Sequence, residues 1–123
     1  MYLLQFPIFG GIANYLYDFK PQQHSLLNKF SVAGFGFYYG PELIKLIQLG
    51  DELSMMPNPD NLYDEYAVEL HWKDNLLGHF PRSDNHHIFR LLEQGMDLVC
   101  TIRQLNHDED TWQMCKVKVE LVV

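Results

Sequence analysis

The sequence predicts a mainly β protein: one small barrel of about six short strands with two short helices. Three observations carry this reading. Apolar and polar residues alternate over short runs, most clearly where Tyr66, Val68 and Leu70 fall on one face. Clusters of Pro, Gly, Asn and Asp punctuate those runs. No strand–helix–strand alternation of the kind that builds a parallel sheet is present. The chain has 123 residues, which is one domain, and such a chain buries roughly two-thirds of its unfolded surface without needing disulfides or metals.

Residues 1–28 read as an apolar arm and linker, with a short helix over 12–19 and a polar stretch at Lys20, Pro21, Gln22, Gln23 and His24. The barrel domain is expected over 29–123. Residues 30–37 read as a strand containing Gly34 and Gly36, glycines that mark a bulge or a close backbone approach. Pro41 opens a short helix whose apolar face holds Leu43, Ile44, Leu46 and Ile47, and Gly50 suits its stop. A short strand over 52–56 leads into a loop over 57–64 built from Pro, Asn and Asp. The strands over 66–72 and 76–80 form a hairpin about the turn at Lys73, Asp74 and Asn75. Ser83 or Asp84 caps a helix running to Gln94, with Ile88, Leu91 and Leu92 at helical spacing and Gly95 beyond it. Strands over 97–105 and 111–122 follow, joined by the acidic turn of His107, Asp108, Glu109 and Asp110. A partly open barrel of the OB type, with helices plugging its ends, fits this count.

Sixteen Asp and Glu outnumber nine Lys and Arg, for a formal charge of −7. That excludes a broad basic surface that coats duplex DNA, and leaves room for a local basic pocket. Cys100 and Cys115 form no C-x-x-C and read as small buried core residues. The apolar stretch over 1–17 is interrupted by Pro7, Gly10 and Gly11 and has no Lys or Arg before it. It lacks the charged start of a signal peptide and the length of a membrane span, so the expectation is a cytoplasmic protein with no membrane partner.

The sequence carries no recognisable catalytic motif. The chain has no G-x-x-x-x-G-K loop and no G-x-S-x-G elbow, and Gly34, Phe35 and Gly36 lack the third glycine and the helix of a dinucleotide site. His86 and His87 are adjacent on a helix and point about 100° apart, so they cannot share one ion. No histidine pairs with a cysteine or carboxylate at zinc spacing. The expectation is a non-enzyme with no metal and no cofactor.

Three segments remain: VAGFGFYYG over 32–40, PDNLYDEYAV over 59–68 and LGHFPRSDNHHIFRLLEQG over 77–95. The first two set tyrosines on or beside loops at strand ends, and the third sets His79 and Arg82 just before a helix. Aromatic faces stack on bases, Arg and helix-start N–H groups suit phosphate, and an aspartate accepts a hydrogen bond from a sugar hydroxyl. A plainer reading stands beside this. Tyrosines at strand ends are commonly half-buried core residues with a wet hydroxyl, Asn61 and Asp64 can simply shape a turn, and Arg82 can simply pair with Asp84 or Glu93.

In this order and spacing the three segments resemble the HIRAN domain, which occurs at the N-terminus of some DNA-remodelling helicases and as a standalone bacterial protein. The resemblance covers residues 29–122, and the third segment looks most like the standalone bacterial members. It implies a modified OB-like barrel and a non-enzymatic module that holds the 3′ end of single-stranded DNA, with a role in DNA repair or processing. By this resemblance Tyr38 and Tyr63 occupy the positions whose rings sandwich the terminal bases, and Asp64 the position that bonds the 3′-hydroxyl. Asn61 contacts the sugar or fixes the loop, and His79 and Arg82 match positions near the bound phosphate. A helicase or nuclease acting in trans is an implied partner, and residues 1–28 suggest a homo-oligomer. The chain departs from the family pattern at Phe37, where helicase-linked members carry Arg, at Leu62, where Pro is usual, and at Tyr66, where Asn is frequent. The alternative is a protein-interaction or oligomerisation module that retains the fold without binding DNA.

Overall fold

A computed structural model describes residues 22–123. The first 21 residues of the expected arm, with the helix expected over 12–19, lie outside the described residues. Six strands form one antiparallel sheet. They are β1 (His24–Ser31), β2 (Glu52–Pro57), β3 (Val68–Trp72), β4 (Asn75–His79), β5 (Leu98–Leu105) and β6 (Cys115–Val122), in the order β1-β6-β5-β2-β3-β4. Two helices accompany them: α1 (Gly40–Leu43) and α2 (Asn85–Glu93).

Alternation explains the strands. On β6 the buried Cys115, Val117 and Val119 alternate with the more open Lys116, Lys118 and Glu120. On β3 Val68, Leu70 and Trp72 face the core, and the Trp72 indole N–H donates to Asp51 Oδ2 at 3.0 Å. Register shifts at Leu26/Asn28, Leu70/His71 and Ile102/Gln104 bend the strands, as extra residues in a ladder do. The curvature wraps the sheet around Phe30, Val32, Leu53, Leu77, Phe80, Ile88, Cys100 and Ile102. Both cysteines are free and buried, and burial pushes each thiol up to about 12.

The two sheet edges meet just beyond β1. Ala33 and His79 exchange two backbone hydrogen bonds of 2.8 Å, an isolated antiparallel bridge that draws the ends of β1 and β4 together. Gly78 permits the approach: a Cβ there would collide with the Ala33 carbonyl oxygen and the Val32 side chain.

Several boundaries differ from expectation. Residues 24–28, expected as linker, are the first part of β1 and pair with β6. The strand expected over 30–37 ends at Ser31, and Phe35–Phe37 is a 3₁₀ turn instead. Gly34, at φ 77°, breaks the extended run, and its carbonyl accepts from the Phe37 N–H at 2.9 Å. The helix expected from Pro41 to Gly50 is regular only over Gly40–Leu43. Beyond it the Leu46 N–H bonds back three residues to Leu43, and the Gly50 N–H donates across to Ile102, so the chain is drawn toward β5. Residues 111–113 form a second 3₁₀ turn, and β6 starts only at Cys115. No helix among the described residues is long and apolar enough to cross a membrane.

Candidate functional site

The loop between β2 and β3 is built by its own side chains. The Asn58 N–H donates to the Ala67 carbonyl at 2.8 Å and closes the loop's base. Asn61 Oδ1 accepts from the N–H groups of Tyr63 and Asp64 at 2.9 and 3.1 Å, the Asx geometry that turns a chain without a helix. Asp64 Oδ1 accepts from the Tyr66 N–H at 3.0 Å. The consequence is a fixed turn that throws the Tyr63 ring outward, 84% exposed.

The loop is held from two sides. At its start, Asn58 Nδ2 donates to Glu69 Oε2 at 3.1 Å, and Glu69 Oε1 also bonds His71 Nε2 at 2.9 Å. The bond with His71, and secondarily the one from Asn58, holds the Glu69 carboxyl below its ordinary value. At its end, Tyr66 stacks on His86 with ring centroids 4.0 Å apart and meets the edge of Phe89 at 5.5 Å, tying the loop to α2. The departure at Tyr66 is therefore a packing residue.

Asp64 is the centre of the polar network. Its Oδ2 accepts from Asn85 Nδ2 at 2.6 Å, and Arg82 Nε lies 3.9 Å from the same oxygen. Asn85 is the first residue of α2 and only 3% exposed, the one fully buried polar side chain among the described residues. Arg82 keeps most of its side chain in solvent, so its pairing with Asp64 is weak and its guanidinium is free to take a second anion. Neither Asp84 nor Glu93 pairs with Arg82: Asp84 accepts from Ser83 Oγ, and Arg82's carboxylate neighbour is Asp64.

The opposite wall comes from the segment after β1 and from the end of β4. Tyr38 lies beside His79, their rings 5.7 Å apart and inclined at 57°. Because His79 is bonded through its backbone to Ala33, the closure of the sheet fixes this wall. Phe80, itself buried against Phe30, and Ala67 form the floor.

All six residues singled out from the sequence meet here. Tyr38, Asn61, Tyr63, Asp64, His79 and Arg82 line one concavity of about 310 Å³, together with Phe37. A second hollow of about 480 Å³ shares Asn61, Tyr63, Asp64 and Arg82, so the loop carries an opening on each side. The side-chain oxygen of Asn61 is spent on the turn, so fixing the loop is the role its hydrogen bonds support. Arg82 is the single permanent cation among the lining residues, against the carboxylate of Asp64. Two participants were not singled out: Asn85, present in the third segment as an ordinary helix-start residue, and Phe37, treated only as a missing Arg. Among the described residues no three His, Cys, Asp or Glu side chains gather as a metal site would need.

The chain matches the HIRAN domain over residues 27–123. Two solved structures share the fold. A protein from Lactobacillus plantarum superposes with a TM-score of 0.71 at 17% identity, covering 83% of this chain and 98% of that one. The HIRAN domain of human HLTF superposes with a TM-score of 0.66 at 12% identity, covering 82% and 78%. No curated protein matches the chain in sequence. The identities are low enough that these two structures speak for the fold alone, whereas the domain match runs from within β1 to the last residue and takes in every wall of the concavity. The chain belongs to the HIRAN domain family.

Proposed function

We propose that the chain is a non-enzymatic module that binds the 3′ end of single-stranded DNA in the concavity around Asp64, in the service of DNA repair or processing. HIRAN domains are typically non-catalytic binding modules, and the family is known for nucleic-acid binding. The observation that carries the finer reading is the meeting of two exposed tyrosine rings, one anchored carboxylate and one loosely held guanidinium in a single hollow. Each group suits one part of a strand end. Tyr38 and Tyr63 offer flat faces for bases, each stack being worth about 1–3 kcal/mol. Asp64, held by Asn85 and the Tyr66 N–H, offers an acceptor to a terminal hydroxyl and repels a terminal phosphate. Arg82 and His79 suit the adjoining phosphodiester. A helicase or nuclease acting in trans would supply the chemistry this domain lacks.

With a formal charge of −7, long-range attraction cannot be the source of affinity. Stacking must dominate, and the salt dependence should be that of one or two neutralised phosphates. Anisotropy titrations with labelled single strands test this. Tyr63→Ala should weaken binding more than Arg82→Ala at moderate salt. A steep salt slope, or equal binding to duplex and single strands, would count against the reading. Failure to bind any oligonucleotide at low salt would favour a protein-interaction module on the same fold.

A further inference from the structure

Phe37 is the most exposed aromatic residue among the described residues, at 88%, and it lines the same concavity as Tyr38 and Tyr63. A Phe has no polar atom to justify such exposure, and an exposed ring on a loose loop would fold back onto apolar surface. This ring is not on a loose loop. Phe35, two residues earlier, is 1% exposed and packs so closely over Gly40 that a Cβ there would stand 2.6 Å from its ring. The Phe37 N–H is bonded to the Gly34 carbonyl at 2.9 Å, and the Tyr39 N–H to the Leu76 carbonyl at 3.2 Å. Gly36 lies against the Thr111 side chain. The backbone from Gly34 to Gly40 is therefore pinned from both sides, and Phe37 is held outward at the cavity's edge.

From this we infer that Phe37 is a third stacking surface, so that the site grips three consecutive nucleotides rather than two. The inference rests on the nucleic-acid reading of the same site and deepens it. Flat, uncharged faces outnumber cations in the hollow by three rings to one guanidinium, counting Phe37, Tyr38 and Tyr63 against Arg82. Phe37 thus adds a ring that grips a base rather than a cation that pairs with phosphate, which gives affinity by stacking rather than by salt-dependent attraction. Because the ring touches the solvent and not the core, its replacement leaves the fold intact.

The test compares 5′-labelled oligothymidylates of increasing length, each with a 3′-hydroxyl, on the native chain and on Phe37→Leu and Phe37→Trp. Phe37→Leu keeps an apolar side chain and removes the ring. It should lower affinity roughly 5- to 150-fold for trinucleotides and longer, leave the dinucleotide unchanged, and be rescued by Phe37→Trp. Native-like binding by Phe37→Leu at every length, with Tyr63→Ala still weakened, overturns the third stack and leaves the end-binding reading standing. Binding to no oligonucleotide by the native chain overturns both. A change in the sedimentation of the free protein on Phe37→Leu, with oligonucleotide affinity unaltered, makes the ring a contact between copies and also overturns the inference.

Discussion

Asn85 donates its side-chain amide to Asp64 Oδ2 across 2.6 Å, joining the first residue of α2 to the loop between β2 and β3, 21 positions away in sequence. A buried amide is tolerated only with partners, and this one is satisfied by the carboxylate that stands at the centre of the site. The bond holds the carboxylate by its Oδ2 while the Tyr66 N–H holds Oδ1, so Asp64 cannot rotate away from the hollow.

Asn85→Leu should accordingly weaken both fold and site. Loss of one hydrogen bond between the buried amide and a half-buried carboxylate should cost about 1–3 kcal/mol, read as a lowered melting temperature. Affinity for a 3′-hydroxyl end should fall, as is expected of Asp64→Ala, while Asn85→Gln, if it reaches the same oxygen, should recover part of both. Unchanged affinity in Asn85→Leu at a temperature where it is fully folded would show that Asp64 needs no such support.

Gly78 tests the closure of the sheet. A valine there would force apart the pair of backbone hydrogen bonds between Ala33 and His79, displacing the wall that carries Tyr38. Strain of this kind costs about 1–3 kcal/mol. Hydrogen exchange at the Ala33 and His79 amides should accelerate in Gly78→Val; retained protection at both would contradict the role assigned to the bridge.

How much of this was legible in the sequence depends on the kind of interaction. Alternation places β3 and β6 to within a few residues because their faces differ in polarity, plainly so at Cys115, Val117 and Val119, whereas β4, whose burial does not alternate, is placed by the turn that joins it to β3. The start of β1 at His24 was not legible, since its first five residues are polar or partly exposed and only pairing with β6 makes them strand. The 3₁₀ turn at Phe35–Phe37 was hidden for a related reason: its aromatic run has strand composition, and the left-handed backbone at Gly34 overrides it. The side chains of the site could be named from their segments, but the bond from Asn85 to Asp64 depends on how α2 docks and has no periodicity to announce it. Residues 1–21 of the expected arm lie outside the described residues.

Glu69 couples loop and acidity. Its carboxyl is held below its ordinary value of 4.5, chiefly by the bond with His71 and then by that from Asn58. A depressed carboxylate contributes stability that is fully present above the ordinary value and is lost as pH falls through the lowered folded value. Urea denaturation should therefore show native protein more stable than Glu69→Gln at neutral pH, with the gap closing once the pH drops below 4.5. A gap that widens on acidification would reverse the assignment.

Burial that lifts both thiols to about 12 predicts inert cysteines. At mildly alkaline pH, iodoacetamide should modify Cys100 and Cys115 only as fast as the protein unfolds, and addition of denaturant should expose both together. Rapid labelling of either in native buffer would contradict the packing of β5 against β6.

The central claim is that Asp64 reads a terminal hydroxyl. The most direct measurement is an anisotropy titration of one 5′-labelled single strand ending in either a 3′-hydroxyl or a 3′-phosphate, on the native chain and on Asp64→Ala. A hydrogen bond to a charged group is worth about 1.5–3 kcal/mol, so the native chain should prefer the hydroxyl end by roughly tenfold or more. Asp64→Ala should lose that preference by weakening the hydroxyl end and by relieving the repulsion of the phosphate end. Equal affinity of the native chain for the two ends would contradict the account.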